Sequence, residues 1–84
     1  MHTTAALDVP EEILASAHLS VERLAERAKI ETALALYREG RISSALAARW
    51  LSESRVAFLH RASVAGIPLL DDSLDDFERE RGLL

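Results

Sequence analysis

Cysteine is absent from the 84 residues, so the chain can build neither a disulfide framework nor a thiolate metal site. Aromatic side chains are scarce, one Trp, one Tyr and two Phe, although 49% of the residues are apolar. Ala and Leu therefore carry the apolar content, which favours a helical protein over a sheet protein. The three glycines, Gly40, Gly66 and Gly82, are each placed to stop a helix, and no glycine-rich phosphate loop can be assembled from them. No window approaches the roughly 18 consecutive apolar residues of a membrane span. The opening MHTTAALDVPEE lacks the basic and then apolar regions of a secretion signal, so a soluble, cytoplasmic protein is expected. His2, His18 and His60 lie in different segments without HxxxH or HExxH spacing, and Asp71, Asp72, Asp75 and Asp76 do not form the DxDxDG pattern of a calcium loop. No convergent set of titratable groups remains for catalysis; neither an enzyme nor a bound cofactor is expected.

What is present is a divided charge. The net charge of −4 hides a basic centre between acidic flanks. Residues 1–40 carry seven acids and four bases, residues 41–66 four arginines and one glutamate, and residues 67–84 six acids and two arginines. Positive charge confined to one segment suits a phosphate-contacting surface, although surface arginines also simply solvate small helical domains. Eighty-four residues make one domain, near the lower size limit for a lone hydrophobic core, so a partner subunit is plausible from size alone.

The pattern along the chain predicts a mainly α domain with short terminal strands. Thr3 to Val9 alternates weakly and reads as a strand. Pro10 then opens a helix of one or two turns to Ala17, with Glu11 and Glu12 at the positive end of its dipole. Ser20 caps the longest helix, Val21 to Glu39, which Gly40 closes. Val21, Leu24, Ala25 and Ala28 form an apolar stripe continued by Thr32, Ala35 and Leu36. Ile30, Ala33, Leu34 and Tyr37 fall on the opposite side. A segment apolar nearly all round is buried on more than one face. In so small a chain the second face is expected to meet another subunit, which makes Ile30, Leu34 and Tyr37 the candidate dimer interface; the alternative is burial by the chain's own helices. Ile67 to Leu70 reads as a second short strand, the expected partner of the first. Ser73 caps a final acidic helix whose apolar contacts are Leu74 and Phe77.

Arg41 to Gly66 has the outline of a helix-turn-helix, about residues 43–65, with Ser43 placed to cap its first helix and Ser52 its second. Ala47 and Ala48 allow a close crossing, and Trp50, Leu51, Phe58, Leu59 and Ala62 supply apolar surface. On the second helix Arg55, Phe58, Leu59 and Ala62 lie to one side, and Ser54, Ala57, His60, Arg61 and Val64 to the other. In a DNA-binding unit the start of this helix enters the major groove. Ser54, Arg55 and Arg61 are therefore candidates for base or phosphate contact, and Arg41 and Arg49 for the backbone.

Four segments, LDVPEEIL, ALALYREGRIS, AAxxLxxSRxxFL and GIPLLD, resemble a small prokaryotic family catalogued as uncharacterised protein family 0175. Its members are often encoded beside PIN-domain ribonucleases and are regarded as type II antitoxins. The resemblance covers nearly the whole chain. It implies a homodimeric antitoxin that neutralises a PIN-domain toxin and binds the operator DNA of its own operon. Family members often carry Ala-Gly ahead of the second helix where this chain has Leu51-Ser52, a departure that bears on the tightness of the turn and so on the docking geometry. A PIN ribonuclease is expected to hold divalent metal on carboxylates; Arg79 and Arg81, beside Phe77, would then supply cations for toxin binding. The alternative is a protein-binding adaptor that keeps the helix-turn-helix scaffold without DNA affinity.

Overall fold

The computed structural model describes residues 2–69. They form four helices: α1 Glu11–Ala17, α2 Val21–Arg38, α3 Ser44–Trp50 and α4 Arg55–Val64. One end rule serves all of them. Each helix closes with the residue after its left-handed one donating to a carbonyl five positions back, through Leu19 N–H to Leu14 C=O, Arg41 to Leu36, Glu53 to Ala48 and Ile67 to Ala62. That closure needs a left-handed residue in between. His18 (φ 56°), Gly40 (φ 74°), Ser52 (φ 56°) and Gly66 (φ 78°) occupy those positions. Three helices also begin alike. The hydroxyls of Ser20, Ser43 and Ser54 accept from the backbone N–H of Arg23, Leu46 and Ala57 at 3.0 to 3.1 Å, each worth about 1 kcal/mol.

Two expectations at helix starts shift. Pro10 is the cap residue of α1, extended at φ −62°, ψ 141°, and not its first helical position. The cap of α4 is Ser54, while Ser52 takes the left-handed position that ends α3. The four residues between Trp50 and Arg55 thus divide into a stop and a start, which is how the turn is made without the Ala-Gly of the family pattern.

The core lies where α2, α3 and α4 meet. Ala33, Leu34 and Tyr37 come from α2, Ala47 and Ala48 from α3, and Phe58, Leu59 and Ala62 from α4, with Ile67 closing the floor. Four alanines let the helix backbones approach, and Phe58, fully buried, fills the space between. Tyr37 meets Phe58 edge to face, with ring centroids 5.3 Å apart at 86°, the arrangement that ring quadrupoles favour. Ile30, Ile42, Leu51 and Leu69 pack on the margin. No helix among the described residues is long and apolar enough to cross a membrane.

The expected terminal strands are not formed. Residues 2–9 have no regular secondary structure and no backbone hydrogen bond to the rest of the described chain. Ile67 to Leu69 likewise form no strand. Ile67 is drawn into the helical core, where its N–H is spent on closing α4, and Pro68 has no N–H to give, so this segment has few donors for a ladder. Leu70 and the expected helix with Ser73, Leu74 and Phe77 lie outside the described residues.

The two faces of α2 also exchange roles. Leu34 and Tyr37, expected at a subunit interface, are buried in the chain's own core, and Ile30 packs at its edge; that surface is unavailable to a second copy. The opposite stripe is the more open one: Val21 is 55% exposed, Ala25 and Thr32 are exposed as well, and Leu24, Ala28, Ala35 and Leu36 are half-buried. The α3–α4 pair can cover only one face of α2, and the Gly40 turn sends it to the Leu34 side.

The left-handed Ser52 gives a stability prediction. Non-glycine residues at this φ are strained by about 1 kcal/mol, so Ser52→Gly should stabilise the fold by about 0.5 to 1 kcal/mol and raise the melting temperature by a few degrees. Thermal denaturation followed by circular dichroism measures this. In the same assay Phe58→Ala should cost about 3 to 5 kcal/mol. The buried Tyr37 hydroxyl has no hydrogen-bond partner among the described residues, and Tyr37→Phe should be neutral or slightly stabilising.

Candidate interaction surface around α3 and α4

The four arginines of residues 41–66 go to different places. Arg41 leans back on the α2 terminus, its Nε donating to Glu39 Oε1 at 2.7 Å. Both side chains are exposed, so the pair adds little stability and a competing phosphate could take the guanidinium. Arg49 is exposed on α3 and, among the described residues, has no ion pair or side-chain hydrogen bond. It stands beside Trp50 on the rim of a groove shared with Leu36, Ile42 and Leu46.

Arg55 turns inward and is half-buried. Its Nε donates to Ser44 Oγ at 2.8 Å, and Ser44 is 1% exposed. This bond ties the first turn of α4 to the first turn of α3, so Arg55 positions the two helices before it could contact any ligand. Ser54 has the same problem on a smaller scale, since its hydroxyl oxygen already accepts from Ala57 N–H as the helix cap.

Arg61 is held by the turn. Its Nε and Nη2 donate to the two carboxylate oxygens of Glu53 at 3.1 and 3.0 Å, the paired geometry that suits guanidinium to carboxylate. This hydrogen bonding, helped by the carboxylate charge and opposed by partial burial, pushes the Arg61 pKa further up. A raised pKa keeps the cation charged at every pH below its ordinary range, so the strap is sensitive to salt and not to mild base. Glu53, the single acid of the basic segment, was not among the expected site residues. Its position as a lone carboxylate among four arginines was the available signal.

The surface that results has three parts. The outward face of α4 presents Ala57, His60, Arg61 and Val64, with Glu53 at its edge, around a shallow depression. Val64 is 75% exposed. A cleft between α2 and α4 brings Arg23, Arg27 and Arg61 together with Glu26 and Glu31, so opposite charges are interspersed there. On the α2 and α3 side, Trp50 is 42% and Leu46 44% exposed. Trp50, expected in the core, instead walls the groove. No three His, Asp or Glu side chains gather among the described residues to hold a metal ion. The expected convergence of Arg41, Arg49, Arg55 and Arg61 on one surface is therefore not found. Phe77, Arg79 and Arg81, the expected toxin contacts, lie outside the described residues.

The strap predicts a measurable separation of roles. Glu53→Gln should cost about 1 kcal/mol or less, as expected for one partly exposed ion pair, while Arg55→Ala should cost more because it leaves the Ser44 hydroxyl buried without this donor. Urea denaturation of the two variants tests the order; equal losses would contradict the assignment of Arg55 as a positioning residue.

Comparison with curated proteins and with solved structures gives no match. A family model does match, over residues 1–83, so nearly the whole chain is covered. The same span contains the Ser-capped α2, the Ser43 and Ser54 caps and the Gly66 stop described above. The chain belongs to the uncharacterised protein family UPF0175.

Proposed function

We propose that this protein is the antitoxin of a type II toxin–antitoxin pair. It acts by binding and not by catalysis: as a cytoplasmic homodimer it neutralises a PIN-domain ribonuclease and represses its own operon through operator DNA. The observation that supports this reading most is the α3–α4 unit, two short helices joined by four residues with the outward face of the second left uncovered by the other described residues. A helix presented in this way fits the major groove, and its flanking cations meet phosphates. Arg49 can make that contact without first giving up a carboxylate among the described residues of its own chain. Arg41 and Arg61 become available when phosphate replaces Glu39 and Glu53, an exchange favoured at low salt.

The same ion pairs favour a second reading. With Arg61 neutralised by Glu53 the α4 face has little net charge, and Arg41 at the end of α2 is likewise paired with Glu39, as expected of a protein-binding adaptor that keeps the scaffold without DNA affinity. Titration against the DNA upstream of the protein's own gene at several salt concentrations separates the two. A regulator shows affinity that falls steeply with salt, and Arg49→Ala lowers the slope by about 1. Absence of binding at low salt, with inhibition of a PIN-domain ribonuclease encoded beside the gene retained, supports the adaptor.

A further inference from the structure

Two apolar surfaces of this chain are left uncovered by the rest of the described residues. The first is the amino-terminal arm. Residues 2–8 are exposed and Val9 is half-buried, Leu7 is 71% exposed, and the following α1 buries none of its residues. A seven-residue helix is too short to stand alone in water. The second is the groove of about 610 Å³ between the end of α2 and α3, walled by Leu36, Ile42, Leu46 and Trp50, with Arg49 on its rim.

The chain's own arm does not fill this groove. His2 touches its wall, so the arm reaches it, yet Ala5 and Leu7 remain in solvent. The connection through α1 sets the path of the arm and brings only its tip to the groove. A second copy has no such tether.

We infer that the groove receives the arm of a second copy, each protomer giving one arm and accepting one, with Leu7 seated against Trp50 and Leu46. Charge agrees with this occupant. Asp8, Glu11 and Glu12 are the charged residues of the arm and the start of α1, and Arg49 is the cation on the groove rim. A twofold exchange covers both apolar surfaces on both protomers with one self-complementary contact, and it supplies the burial that so small a chain lacks alone. The inference rests on the homodimer of the proposed function and identifies its interface, in place of Ile30, Leu34 and Tyr37.

The single tryptophan is the probe. Sedimentation equilibrium of the full chain across a wide concentration range, read together with Trp50 emission, should show the mass doubling and the emission shifting to the blue over the same interval. Leu7→Asp, at a position exposed in the protomer, should weaken association at least about tenfold, near 1.4 kcal/mol, and leave the emission red. Asp8→Arg should weaken it, and Asp8→Arg with Arg49→Asp should restore it. A monomer at every concentration overturns the inference, as does a dimer whose mass and emission ignore Leu7→Asp. DNA titration of the wild-type and Leu7→Asp chains, both of which keep Arg49, holds the questions apart: a dimer formed elsewhere that still binds DNA removes only the arm exchange, while an arm-exchanged dimer without DNA affinity removes only the regulator.

Discussion

The contact on which the structure depends is Phe58 seated against Tyr37 over a floor of alanines. It joins α4 to α2, and α3 packs against both, its buried Ala47 and Ala48 letting the backbones approach. In a small domain each buried aromatic ring is a large share of the stabilising area. The orientation of α4, and therefore the face it turns to solvent, follows from which of its residues can reach that site. Phe58, Leu59 and Ala62 point in; Ala57, His60 and Val64 are left outside.

The helix ends then restrict how the elements can be connected. With four left-handed closures and three serine caps, the short turns contain few residues whose backbone is not already committed. Arg55 to Ser44 and Arg61 to Glu53 add side-chain ties across the same turn. A unit braced in this way presents a firm surface. The bracing uses the groups that would otherwise contact a ligand, which is why ion-pair exchange enters any account of phosphate binding here.

The apolar surface left over is as informative as the core. The open stripe of α2, the exposed α1 and the Trp50 groove all lie outside the three-helix core, and none is satisfied by the rest of the described chain. Exposed apolar surface of this kind is where the partner contacts proposed above would lie.

The sequence by itself determined the helices, because caps and stops act over a few residues. Ser20, Ser43, Gly40 and Gly66 could be read directly, and so could the inward side of α4, whose apolar residues recur at helical spacing. The cap of α4 was less legible, since Ser52 and Ser54 compete for it and only the left-handed backbone at Ser52 separates them. Tertiary structure alone decided which apolar face of α2 is the core, whether residues 3–9 and 67–69 pair as strands, and where each arginine points. These outcomes depend on partners distant in the chain. Local periodicity shows that a face is apolar, but only packing determines what covers it, and a guanidinium on a long flexible stem goes to whichever carboxylate or hydroxyl the fold brings within reach.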